Sequence, residues 1–267
     1  MKTITVIIRL ARPWHWYKNL FVLLPAFLLG VDAQELWIPV LMAFMAMSLA
    51  SSANYVLNDI RDRHRDQNDP ERNHRPLANK VLSPWSALII YAALVLTSAV
   101  VAGPAVLPVL LLLVIGFIYS LWIKGVHYLE LGIISLDYVI RVWAGTLAIS
   151  YTPEGWLYAG TFSLAFFVIA AKRFASLDTS HHRQYARILN IIILAAGFLV
   201  ICIPTWFAFI SFLPATVVPL IGIITARYYY VAFHQRKPAR HPHLMLTDIY
   251  IMLPSLLLLF LIALHVY

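Results

Sequence analysis

Charge and cysteine are scarce in this 267-residue chain, which has 12% charged residues and a single cysteine. A soluble domain of this length carries roughly a quarter of its residues charged, so the shortage excludes one. Cys202 stands alone in an apolar stretch, which excludes an intrachain disulfide and a cysteine metal site. Acids are outnumbered, 12 Asp and Glu against 20 Lys and Arg. No A-x-A-like site follows the first apolar run, so no cleavable leader is expected. Nothing reads as a soluble second domain, a flexible linker or a close internal repeat.

Hydrophobicity is what the chain has instead: 61% of residues are apolar or aromatic, and the mean hydropathy is +0.79. That is the composition of an integral membrane protein. A span needs ~20 apolar residues, and the backbone inside the bilayer must satisfy itself within helices. About nine such stretches are expected, at 14–30, 36–57, 85–103, 105–122, 129–150, 156–171, 188–209, 212–233 and 245–267. The fold class expected is therefore an all-α polytopic bundle, one transmembrane domain over 1–267. Arg9, Arg12 and Lys18, with Trp14, Trp16 and Tyr17 among them, make an amphipathic lead-in to the first stretch, which contains Pro25.

Basic residues fall on alternate connections. Four precede or begin the first span, six lie in 58–84, Lys124 follows the fourth span, four lie between Lys172 and Arg187, and four between Arg227 and Arg240. Arg141 remains, expected as the one basic residue within a span. By the positive-inside rule the amino terminus and these loops are cytoplasmic and the carboxyl terminus is on the opposite side. A one-sided basic surface suits anionic headgroups and phosphorylated substrates and makes nucleic acid a poor partner.

The acids concentrate where the second span ends, in N-D-I-R-D-R-H-R-D from Asn58 to Asp66. If this stretch is helical, Asp59, Asp62 and Asp66 lie at i, i+3 and i+7 on one face, where like charges repel unless a cation sits among them. The loop continues with Asp69, Arg72, Arg75 and Lys80. Mg²⁺ takes one or two carboxylates plus substrate phosphate oxygens, and neighbouring Arg and Lys clamp the rest, so the composition fits a Mg²⁺-diphosphate site. The alternative is a solvated helix end whose arginines merely neutralise the aspartates. An EF-hand is disfavoured, since its alternating acids and central glycine are absent.

The loop 172–187 holds Asp178 among Lys172, Arg173, Arg183 and Arg187, beside His181 and His182. It reads as a phosphate grip or as topology and headgroup contact. Arg141, four residues after Asp137, is costly in a membrane and reads as an anion ligand or as half of a structural pair. Tyr119, Glu130 and Asp248 lie towards the same cytoplasmic end.

The register of Asn58, Asp59, Asp62 and Asp66 resembles the N-D-x-x-D-x-x-x-D motif of the UbiA-type superfamily of intramembrane prenyltransferases. R-P-L at Arg75 to Leu77 and the number of spans extend the likeness over essentially the whole chain. The resemblance implies a helical bundle around a central cavity open to the cytoplasm. Mg²⁺ on Asn58, Asp59, Asp62 and Asp66 would hold a diphosphate, the three aspartates would be catalytic, and a lipid tail would leave sideways between helices.

Members with aromatic acceptors carry several acids in a second motif, whereas here Asp178 stands alone. Other segments are similar to the decaprenyl-phosphate phosphoribosyltransferase branch: R-P-W-H-W-Y-K-N from Arg12, Y-S-L-W-I-K from Tyr119, V-I-R-V-W-A-G from Val139, K-R-F-A-S-L from Lys172 and L-T-D from Leu246. That branch moves 5-phosphoribosyl from phosphoribosyl diphosphate to a polyprenyl phosphate. The resemblance therefore implies phosphate contacts from Lys18, Arg72, Arg75, Lys124, Arg141, Lys172, Arg173 and Arg183, with Tyr119, Asp137, Asp178 and Asp248 as further candidates. The extra cations answer two phosphorylated substrates. Prenyl transfer from a polyprenyl diphosphate to an aromatic or other small acceptor is the alternative, and a lipid transporter the non-enzyme reading. The location expected is the bacterial cytoplasmic membrane.

Overall fold

The computed structural model describes residues 3–28, 34–152, 155–177, 182–211, 216–235, 237–240, 242–245 and 247–266. Among these the regular structure is helical, without a strand. Helix α1 (Thr3–Ala11) leads to a 3₁₀ helix (Pro13–Val22), then α2 (Leu24–Leu28), α3 (Gln34–Gln67), α4 (Pro84–Val101), α5 (Val106–Ile118) and a π turn (Tyr119–Ile123). There follow α6 (His127–Ala148), α7 (Gly155–Ser176), α8 (Arg183–Ser211), α9 (Val217–His234), the short α10 (Lys237–Arg240) and α11 (Pro242–Met245), and α12 (Ile249–Val266). Eight helical segments among the described residues are long and apolar enough to cross a membrane: α3, α4, α5 with its π turn, α6, α7, α8, α9 and α12.

The segment expected as the first span is built differently. Pro13 starts it, and a 3₁₀ helix places residues three apart on one edge. That edge is Pro13, Trp16, Asn19 and Val22, and it lies along α3: Trp16 donates to Ser52 Oγ at 3.0 Å and Asn19 to Ser48 Oγ at 3.0 Å. Three residues of 3₁₀ helix rise ~6 Å, as do four of α-helix, so the step from Trp16 to Asn19 matches the step from Ser52 to Ser48. Val22 and Ala26 then share a core with Val40, Ala43, Met47 and Ala50 of α3. At ~2 Å per residue, ten 3₁₀ residues and the short α2 cover ~27 Å, close to the hydrocarbon thickness that a uniform α-helix would need ~20 residues to cover.

Two compact units emerge, one of Met1–Ala26, Val31–Ile133 and Ile140–Thr152, the other of Phe27–Gly30, Ile134–Val139 and Pro153–Tyr267. In the first, α3 is the core helix: 61% of its apolar stretch is buried, against 11% for α4. Its alanines and serines keep neighbouring backbones close, as membrane helices require. Two glycines permit this approach. A Cβ on Gly145 of α6 would stand 2.0 Å from the Val22 carbonyl oxygen, and one on Gly116 of α5 would strike the Asn54 amide, which donates to the Leu112 carbonyl at 3.0 Å. With 34 residues, α3 is ~51 Å long, well beyond the ~30 Å hydrocarbon layer.

In the second unit α7 packs on α8 and α9, and α9 on α12. Aromatic pairs set the spacing, with Phe174 stacked on Phe233 at 4.0 Å and Phe167 tilted against Tyr228 at 5.5 Å. Arg240 donates to the Ala175 carbonyl at 2.8 Å and caps the end of α7.

Gly145→Ala should lower the thermal unfolding midpoint in detergent, an overpacking cost of about 1–3 kcal/mol. Gly132→Ala on the same helix, where a Cβ meets nothing within 4 Å, is the control and should not. If the positive-inside rule sets the orientation of α12, a reporter fused after Tyr267 should be active only outside the cytoplasm. Cytoplasmic reporter activity would reverse the orientation of α12.

Candidate active site at the end of the longest helix

Asn58, Asp59, Asp62 and Asp66 occupy the last turns of α3, as the motif register requires. Asp59, Asp62 and Asp66 are buried, at 2%, 9% and 1% exposure. A buried carboxylate costs several kcal/mol of desolvation unless it is paired, and each of these is. Asp59 Oδ1 accepts from Arg12 at 2.6 Å and from Arg75 at 3.2 Å. Arg75 also donates to Asp66 Oδ2 at 2.6 Å, and Arg72 stands 3.9 Å from Asp66 Oδ1 and 3.2 Å from Asp69. Asp62 pairs with Lys124 and, at 3.3 Å, with Arg65. Asn58 Oδ1 accepts from the Ser120 hydroxyl.

Local backbone features deliver these partners. Arg12 is in the left-handed conformation, φ 52° and ψ 56°, an unfavourable state for a side chain bearing a Cβ. It ends α1 and starts the 3₁₀ helix at the level of Asp59. The π turn after α5 closes with Lys124 N–H donating to the Tyr119 carbonyl at 3.1 Å, five residues back. This extra residue in the turn presents Ser120 to Asn58 and Lys124 to Asp62.

The three aspartates expected to share one ion all lie on α3, and each meets a cation of the protein. Among the described residues no three His, Cys, Asp or Glu side chains are grouped to hold a metal. The cation demanded by like charges on one face is supplied by Arg12, Arg75 and Lys124, whose long side chains reach in from three other segments. The donor set still suits Mg²⁺: Asp59 Oδ2 and Asp66 Oδ1 are buried and accept no hydrogen bond. Two carboxylate oxygens of this kind are what a hard cation takes.

A second polar layer lies deeper in the same unit. Arg141, 4% exposed, donates from Nε to Asn19 Oδ1 at 2.7 Å and from Nη2 to Ser51 at 3.4 Å. Asn19 also receives the Ser51 hydroxyl at 3.3 Å. Tyr119 donates to Glu130 Oε1 at 2.7 Å, and Lys18 sits on the 3₁₀ helix beside Asn19.

The remaining candidates lie on the second unit. Asp137 is on α6, Lys172 and Arg173 are in the last turns of α7, and Arg183 is the first residue of α8. Asp178 lies outside the described residues. Asp248 accepts from Arg227 Nη2 at 2.8 Å and Nε at 3.2 Å, which ties the start of α12 to α9. The Arg227 hydrogen bonds hold the Asp248 carboxyl below the ordinary carboxylate range. The pair's contribution is therefore complete at neutral pH and is lost as pH falls through that lowered value. Arg12, Asn19, Ser51 and Ser120 were absent from the expected site. Arg12 and Asn19 bound the R-P-W-H-W-Y-K-N segment, the signal that pointed to them.

Comparison with known proteins agrees with this architecture. The model of the UbiA prenyltransferase family matches residues 19–257. The chain belongs to that family. A decaprenyl-phosphate phosphoribosyltransferase of Mycobacterium tuberculosis is 33% identical over 182 residues, 64% of this chain and 60% of the relative. The nodulation protein NoeC of Azorhizobium caulinodans is 33% identical over 142 residues, 51% of this chain and 46% of its own length. The alignments thus span about half to three fifths of these relatives. Among solved structures, a UbiA homologue from Archaeoglobus fulgidus bound to GPP and Mg²⁺ superposes with a TM-score of 0.74 at 17% identity, covering 98% of this chain and 99% of that one. This UbiA-family chain therefore shares the fold, with its aspartate motif at the end of α3.

Arg12→Gln should destabilise the protein by about 3 kcal/mol, because it leaves a buried carboxylate short of a partner. Asp59→Asn should cost less in the Arg12→Gln background than in the wild type, by on the order of 1 kcal/mol in a double-mutant cycle of unfolding. Additive effects would mean the pair is energetically idle.

Proposed function

We propose that this protein transfers 5-phosphoribosyl from phosphoribosyl diphosphate to a polyprenyl phosphate at the cytoplasmic face of the membrane, as one transferase domain. The observation that carries the reading is the charge at the site: five basic side chains, Arg12, Arg65, Arg72, Arg75 and Lys124, contact four aspartates, Asp59, Asp62, Asp66 and Asp69. A surplus of cations over acids suits substrates that bring a diphosphate, a sugar phosphate and a lipid phosphate together. The likeness to decaprenyl-phosphate phosphoribosyltransferases supports the same choice.

Asp59 and Asp66, through the oxygens that accept no hydrogen bond, are the residues that would hold Mg²⁺, with Asp62 and Asn58 beside them. Bound there, the ion supplies neutralising charge to the diphosphate. Arg12, Arg72, Arg75 and Lys124 offer N–H donors to the departing diphosphate oxygens, an electrostatic contribution that grows as the C–O bond at ribose C1 breaks. The acceptor's phosphate oxygen forms the new bond to C1 as the diphosphate leaves. Arg141, fixed by Asn19 and Ser51, and Lys172, Arg173 and Arg183 are assigned to phosphate oxygens. Prenyl transfer from a polyprenyl diphosphate to a small acceptor is the second reading, favoured by the GPP and Mg²⁺ in the fold neighbour.

Purified protein with Mg²⁺, phosphoribosyl diphosphate and a polyprenyl phosphate should release diphosphate and yield a phosphoribosylated lipid. Chelator, Asp62→Ala or Asp66→Ala should abolish turnover, and Lys172→Ala and Arg173→Ala should weaken it. Prenylation of 4-hydroxybenzoate from a polyprenyl diphosphate, with no phosphoribosyl transfer, would establish the second reading instead.

A further inference from the structure

Beside the aspartate cluster, on the same unit, lies a cavity of about 330 Å³. Its walls include Arg9, Arg12, Trp14, Glu71, His74 and Arg75. The volume is at the lower end for a ligand pocket, enough for a headgroup and far too small for a polyprenyl chain. Arg12 and Arg75 line it while also holding Asp59, and each commits only one of its two terminal guanidinium nitrogens to a carboxylate. A guanidinium has five N–H donors, so both retain donors for a second anion. Arg9 is exposed and forms no ion pair among the described residues. Three arginines thus line one cavity whose walls carry a single carboxylate residue, Glu71.

The setting is that of a lipid. Arg9 lies on α1, which docks by Val6 and Leu10, 6% and 0% exposed, and turns Ile4, Ile7 and Ile8 outward at 69%, 39% and 46%. Those three share one helix face at i, i+3 and i+4, with the exposed Trp14 just beyond, the pattern of a segment lying in the membrane interface. An apolar surface next to three guanidiniums offers a seat for a tail beside a seat for a phosphate.

We propose that this cavity binds the phosphate monoester of an interfacial lipid, so that the acceptor's phosphate docks here, one guanidinium away from Asp59. A monoester presents three free oxygens, matching three guanidiniums, whereas a diester presents two. Arg12 and Arg75, facing both the cavity and Asp59, would tie acceptor binding to the aspartate cluster. The assignment rests on a lipid-phosphate acceptor but is tested apart from transfer.

The full chain in detergent micelles, in EDTA and without any donor, is titrated calorimetrically with farnesyl phosphate, farnesol, inorganic phosphate and phosphatidylglycerol. Farnesyl phosphate should bind at least about tenfold more tightly than the other three, the size of one charge-assisted hydrogen bond. Arg9→Gln should weaken it about tenfold with the unfolding temperature unchanged, and Glu71→Gln, which removes the opposing charge, should tighten it. Unchanged affinity in both variants, or equal binding of farnesol, overturns the site. Equal binding of inorganic phosphate overturns its lipid character, and equal binding of phosphatidylglycerol its preference for a monoester. Binding as expected in a protein that fails to transfer phosphoribosyl would sink the proposed reaction and leave the site standing.

Discussion

Asp59 is 2% exposed at the end of a long membrane helix, and a carboxylate there persists only because two guanidiniums reach its Oδ1. Arg12 comes from the turn between α1 and the 3₁₀ helix, and Arg75 from the loop after α3. One buried charge therefore gathers three stretches of chain that share no secondary structure. Desolvation sets the scale: an unpaired ion costs several kcal/mol, more than a surface contact provides. The strained backbone of Arg12 is tolerated for the same reason, since the pair and the cation–π contact of Arg12 with Tyr55 fix its position.

The segment from Pro13 to Leu28 obeys a second constraint, the match of two helical rises. A 3₁₀ helix and an α-helix advance equally over three and four residues, so one edge of Pro13–Val22 can meet α3 in step. The contacts are polar near the site and apolar further on, from Trp16 with Ser52 to Val22 in the core of Val40 and Ala43. Asn19 lies midway and accepts from Arg141, so the same edge that packs the segment also fixes the buried arginine. Packing and site preparation are here one set of contacts.

The paired state of the aspartates bears on the chemistry. Protein cations hold Asp59, Asp62 and Asp66 in place, and two of their oxygens accept no hydrogen bond. Mutual repulsion is offset before substrate arrives, which is preorganisation in the electrostatic sense. The π turn serves the same end, since an ordinary α turn would advance Lys124 to another face of α5.

The sequence by itself determined the membrane character, the helical class, the acid motif on one helix face and the basic loops, because composition, a 3.6-residue period and a fixed register are local properties. Asp59, Asp62 and Asp66 were legible for that reason, as were Arg72 and Arg75 as their neighbours in the same loop, whereas Lys124, 62 residues from Asp62, was expected only through the family resemblance. Only the tertiary structure decided which cation meets which acid. Arg12 lies 47 residues from Asp59, Asn19 lies 122 from Arg141 and Ser120 lies 62 from Asn58, separations across which no local period carries information. The 3₁₀ form of Pro13–Val22 was hidden too, because an apolar run of that length reads equally as a membrane α-helix, and it is contact with Ser48, Ser51 and Ser52 of α3 that selects the three-residue repeat.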